Sequence, residues 1–131
     1  MTTNALENIR VLEMTEAMAG PYCAMLLGDL GADVIKIERR HIGDQARAWG
    51  PPFLQGESAY FLSVNRNKRS LTLDFKSDAG ARILHQLAAR ADVFLTNLPR
   101  LDSLRRAQID YDTLRALHPR LLRFPPRELL L

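Results

Sequence analysis

At 131 residues, 47% hydrophobic and 25% charged, the chain has the length and balance of one soluble globular domain. Its polar amino terminus and short apolar runs exclude a signal peptide and a bilayer-spanning helix, so a cytoplasmic protein without a membrane partner is expected. The lone Cys23 excludes an internal disulfide and a multi-cysteine zinc site; a net charge of +3, without aromatics interleaved among the basic runs, argues against nucleic acid.

In chain order, IRVLEM (9–14) predicts a first strand and GPYCAMLLGDLG (20–31) a helix after it. Gly20 and Pro21 suit the start of that helix, because a proline there forfeits no intrahelical hydrogen bond. Gly31 suits its end, where a left-handed residue is wanted. Cys23 is expected in the helix core, and Met14, Met18 and Met25 as core or pocket wall. DVIKIE (33–38) is a second strand whose nearly continuous apolar character fits a parallel strand covered on both faces. Residues 39–55 read as a long irregular stretch containing Gly43, Gly50, Pro51, Pro52 and the only tryptophan, Trp49, which is expected to be a packing aromatic like Tyr60. ESAYFLSVN (57–65) follows as a short helix, and SLTLDF (70–75) has the alternation of a strand. Ser77 or Asp78 can cap a helix running to about Arg90. DVFLTN (92–97) gives a further strand, LDSLRRAQ (101–108) and DTLRALH (112–118) two short helical pieces, and LLRF (121–124) a last strand.

This alternation predicts an α/β protein with a Rossmann-like parallel sheet, flanking helices and right-handed crossovers. Ligands of such sheets sit beyond the carboxyl ends of the strands, which nominates residues 15–19, residues 38–40, Lys76 and Asn97. The first turn reads TEAMAGP and lacks the G-x-G-x-x-G of dinucleotide enzymes. Behind the acidic end of the second strand stand Arg39 and Arg40, a pair suited to an adenosine ribose bearing a phosphate, as in NADP or coenzyme A. The missing fingerprint favours coenzyme A; spacing alone serves equally for two arginines that solvate a loop. His41, His85 and His118 lie far apart, and no serine occupies a G-x-S-x-G elbow, so neither type is assigned a catalytic role.

Taken together, IRVLEMTEAMAGPYCAMLLGDLGADVIKIERR, GDQARAWGPPF, GESAYFLSVNRNKRSLTLDFKS, GARILHQLAARADVFLTNL and LRALHPRL resemble the amino-terminal portion of the family III coenzyme A transferases. This is the CaiB/BaiF group, which includes formyl-CoA transferase and α-methylacyl-CoA racemase. The resemblance covers residues 6–122 and implies an enzyme that moves coenzyme A between carboxylic acids. It further implies a Rossmann-like large domain, an interlocked homodimer, and acyl-CoA as substrate with no metal or prosthetic group. By the same resemblance the coenzyme would meet Ala17, Arg39, Leu73, Asn97, Leu98 and Arg105, with Lys76 a further candidate. The formyl-CoA branch has a histidine and a glutamine where this chain has Glu16 and Met18, which leaves the acids unspecified. The family's nucleophilic aspartate, which passes through anhydride and thioester intermediates, is expected beyond residue 131. No carboxylate of this sequence corresponds to it; Glu16 is the nearest candidate, as an acid or base or as a hydrogen-bonding loop residue. The tail 123–131 departs from the family pattern, so the chain is expected to be a single, truncated domain. A non-catalytic coenzyme A or nucleotide binding fragment and a racemase-type relative are the alternative readings.

Overall fold

The structure, a computed structural model, describes residues 4–97 and 101–124. Strand β1 (Arg10–Met14) leads through α1 (Ala19–Asp29) to β2 (Asp33–Glu38). A 3-10 turn (Gln45–Ala48), a small hairpin of β3 (Phe53–Leu54) and β4 (Glu57–Ser58), and α2 (Ala59–Ser63) then precede β5 (Lys68–Thr72). The second half runs α3 (Asp78–Ala88), β6 (Val93–Thr96), α4 (Leu101–Arg106), α5 (Tyr111–Leu117) and β7 (Leu122–Phe124). Five strands form one sheet in the order β5-β2-β1-β6-β7, and every neighbouring pair is parallel. This is the expected doubly wound α/β arrangement. The chain builds outward from β1 to β5, then crosses back to β6, so the direction of winding reverses between β1 and β6.

Local chemistry explains where the helices begin. Ser77 Oγ accepts the Gly80 N–H at 3.1 Å and caps α3, while Asp78 sits in its first turn and favours the positive end of the helix dipole. Ser58 and Asp110 cap α2 and α5 in the same way, through Phe61 N–H at 3.2 Å and Thr113 N–H at 3.3 Å. Helix α1 has no side-chain cap, and Pro21 falls in its first turn, where no intrahelical partner is forfeited. Gly31 follows α1 with φ +102°, the left-handed ending that its sequence position suggests.

The two faces of the sheet are covered differently. On one, Leu12, Met14, Ile37 and Phe94 pack with Leu84 of α3 and Leu114 of α5. Helix α3 buries Gly80, Leu84 and Ala88, one residue per turn, toward this layer. On the other, Val11, Val34, Val93 and Leu95 pack with Ala24 of α1. Four details depart from the sequence expectation. Strand β5 begins at Lys68 rather than Ser70, because the Lys68 ammonium is drawn into a buried ion network described below. Residues 39–55 are partly regular, since the chain doubles back in the β3–β4 hairpin. Cys23 is exposed, and so is Met18. Cys23 lies away from the face of α1 that holds Pro21, Ala24 and Met25, and Met18 stands before the helix begins.

Candidate functional site

Because the winding reverses between β1 and β6, a crevice opens where their carboxyl ends part, and the residues there are Glu16, Ala17 and Asn97. Asn97 grips the first turn from across the crevice: its Oδ1 accepts Glu16 N–H at 2.9 Å and its Nδ2 donates to Glu16 C=O at 2.7 Å. Ala17 is held at φ +69°, a left-handed conformation costly for a residue with a Cβ. Its N–H donates to Asp44 Oδ1 at 3.2 Å, which helps offset that cost. Gly20 is required just behind, since a methyl group there would run into the Thr15 side chain.

Asp44 belongs to a network that the sequence reading did not anticipate. Along β1 and β2 the side chains of Glu13 and Lys36 are paired in register and point to the α1 face, yet both are buried. Lys36 Nζ lies 3.0 Å from Glu13 Oε1, 2.9 Å from Asp44 Oδ2, and donates to Thr15 C=O at 2.8 Å. Lys68 Nζ lies 2.9 Å from the other oxygen of Glu13 and donates to Pro21 C=O and Asn65 Oδ1, both at 2.8 Å. Burial lowers the Lys68 pKa more than the nearby Glu13 carboxylate raises it. One residue pair along β2, Glu38 is nearly as buried and accepts from Arg47 Nε at 2.7 Å, Arg47 Nη2 at 2.8 Å, Ser70 Oγ at 2.8 Å and Asp44 N–H at 3.0 Å. Burial alone would raise the Glu38 pKa, but these donors outweigh it and bring it down to about 2. The network thus ties the first turn and residues 39–48 to strands β1, β2 and β5. Its one trace in the sequence is charge at inward parity, Glu13 in β1 and Lys36 and Glu38 in β2, which by itself does not tell a buried charge from a solvated one.

Beyond the ends of β2 and β5 lies an open depression of about 360 Å³, bordered by Arg39, Arg40, His41, Leu73, Phe75 and Lys76. It adjoins a second of about 490 Å³, which shares Phe75 and Lys76 and adds Ser77, Asp78 and Arg106. Of the residues expected to meet a coenzyme, Arg39, Leu73 and Lys76 therefore meet at one depression. Ala17 and Asn97 stand at the neighbouring crevice, linked to it through Glu16, whose Oε1 is 2.9 Å from Arg39 Nη2. Arg105 is exposed on α4 and is not among the residues bordering either depression, whereas Arg106 is. Leu98 and the tail beyond residue 124 lie outside the described residues. Among the described residues no cluster of three His, Cys, Asp or Glu could hold a metal ion, and no helix is long and apolar enough to cross a membrane.

Arg39, Arg40 and Lys76 outnumber Asp74 around the first depression, a balance that suits a phosphorylated ligand, and Leu73 and Phe75 offer an apolar wall to a ring. Comparison with known proteins gives this geometry a family. Succinyl-CoA:glutarate CoA-transferase of Mus musculus is 55% identical over 92 residues, which are 70% of this chain and 21% of the relative. Succinate–glutarate CoA-transferase of Agrobacterium fabrum is 43% identical over 123 residues, 89% of this chain and 30% of the relative. The crystal structure of a CaiB/BaiF family protein from Brucella suis superposes with a TM-score of 0.88 at 40% identity, covering 95% of this chain and 33% of that one. The chain thus spans about a third or less of the length of these relatives. The sequence model of CoA-transferase family III matches residues 6–124, and the chain belongs to that family.

Proposed function

We propose that this chain supplies the coenzyme A-binding portion of a CoA-transferase that moves coenzyme A between carboxylic acids. The observation that carries the reading is the depression where Arg39, Arg40 and Lys76 stand beside Leu73, at the ligand end of a parallel sheet. A nucleotide phosphate would take the arginine donors in charge-assisted hydrogen bonds, and the adenine would lie against the apolar wall. Asn97 and Ala17 would meet the coenzyme on the crevice side, and Arg105 or Arg106 on the far side; a contact from Leu98 is part of the same proposal by family resemblance alone. Relatives named for succinyl-CoA with glutarate, L-malate or mesaconate support dicarboxylic acids as the acyl partners.

In the route that family membership supports, an aspartate attacks the thioester carbonyl, expelling the coenzyme A thiolate and leaving a mixed anhydride. The thiolate then attacks the aspartyl carbonyl, releasing the first acid and forming an enzyme thioester. The acceptor carboxylate attacks that thioester to give a second anhydride, and the thiolate returns to the new acyl group. No residue of this chain is assigned as that nucleophile; its side chains bind and orient the coenzyme. An interlocked homodimer is part of the same proposal.

Calorimetry with coenzyme A and its 3′-dephospho form tests the reading on the 131-residue chain. Arg39→Ala is expected to weaken coenzyme A binding by about tenfold to a hundredfold, the worth of one or two charge-assisted hydrogen bonds, and to leave the dephospho form little changed. Equal affinity of the wild-type chain for the two ligands would rule out the phosphate role of Arg39.

A further inference from the structure

The strand-end cation that the proposed ligand would use already has an anion. Arg39 Nη2 lies 2.9 Å from Glu16 Oε1, with the Glu16 side chain only 23% exposed. Asn97 anchors the Glu16 backbone through both its N–H and its C=O, so the carboxylate reaches Arg39 from a fixed turn. Nor is the arginine fully satisfied in this arrangement: its Nε is buried and accepted by no group among the described residues. A guanidinium that pairs with one carboxylate and strands one donor is held less firmly than one with every donor used.

We propose that Glu16 is a built-in counter-anion for Arg39, a residue that sets the affinity for phosphorylated ligands by competing with the ligand phosphate for the same guanidinium. This rests on Arg39 being the phosphate-binding residue. The groups facing the Glu16 carboxylate decide how the competition responds to pH. Burial raises its pKa; Arg39 and the more distant Lys36 lower it, and Asp44 raises it further. The net direction is upward from 4.5. When a phosphate takes Arg39, Glu16 loses its cation and gains an anion nearby, so its pKa rises again and binding takes up a proton. The penalty that Glu16 imposes is therefore full at high pH, and falls away as the pH drops through the bound and then the free pKa of Glu16.

Coenzyme A binding to the wild-type chain and to Glu16→Gln, measured by calorimetry from pH 5 to 8, reads this directly. The ratio of the two affinities at each pH cancels the ionisation of the ligand phosphate, which both proteins share. Glu16→Gln is expected to bind about two- to fivefold more tightly at pH 8, the range of a partly exposed ion pair, with a smaller ratio at pH 5 than at pH 8. Glu16→Ala should behave alike, and in the Arg39→Ala background the gain should vanish. A ratio of one at every pH, or an undiminished gain without Arg39, would overturn the role of Glu16 while leaving the coenzyme site standing. Absence of coenzyme A binding by both folded proteins would instead overturn the site, and this inference with it.

Discussion

Replacing Glu38 by glutamine should both destabilise the fold and remove part of its acid sensitivity. The carboxylate at the end of β2 is 2% exposed, and accepts two hydrogen bonds from Arg47, one from Ser70 and one from the Asp44 N–H. With a pKa of about 2 in the fold against an ordinary 4.5, its ionised form contributes about 3 kcal/mol at neutral pH. The sign follows from the depressed value: this contribution is complete above 4.5 and is lost as the pH falls through 2. At pH 3 about 1.4 kcal/mol of it should remain. Glutamine keeps the volume but turns an N–H₂ toward the Arg47 donors, so Glu38→Gln should lose most of the neutral-pH contribution. Urea unfolding followed by the fluorescence of the single tryptophan, Trp49, in the loop that Glu38 anchors, measures the gap between the two proteins. The expected gap narrows by about half between pH 7 and pH 3. A gap below about 1 kcal/mol at pH 7, or one equal at both pH values, would refute the assignment of Glu38 as the ionised anchor.

Lys36→Met, similar in volume but uncharged, should destabilise the chain by about 3 to 5 kcal/mol because it leaves Glu13 and Asp44 buried without their shared cation. Urea midpoints measure it, and a loss under about 1 kcal/mol would refute the role of Lys36 as the cation that holds the two carboxylates together. Asn97→Ala removes both hydrogen bonds to the Glu16 backbone and should speed amide hydrogen exchange at Glu16 and Ala17 while costing about 1 to 3 kcal/mol of stability. Unchanged exchange at those two amides would mean that the first turn is fixed without Asn97.

The five strands of the parallel sheet were legible because each of the apolar runs is short, bounded by turn residues and separated by a helix or a loop, while their order in the sheet and the β3–β4 hairpin were not. Arg39, Lys76 and Asn97 could be nominated as candidates for a related reason, since a parallel sheet places the residues after its strands at one end, whereas Leu73 came from the family resemblance alone. The ion network was not legible. Glu13 in RVLEM and Lys36 in DVIKIE read as tolerated charges in strands, and nothing local distinguishes a charge that is solvated from one that is buried opposite a partner. Their other partners, Asp44 and Lys68, come from a loop and from the start of β5, so the pairing exists only after the sheet has formed. Buried charges are tolerated only when every partner is in place, because desolvation of each ion costs several kcal/mol that its counter-ion must offset. That condition has a functional consequence. Lys36 holds Thr15 C=O and Asp44 together, Asp44 holds Ala17 N–H, and Glu38 holds both Asp44 N–H and Arg47. The first turn and residues 39–48 therefore cannot shift independently of the strands beneath them without stranding a charge. Charge at these strand positions, poor for the core by itself, fixes the shape of the crevice before any ligand arrives.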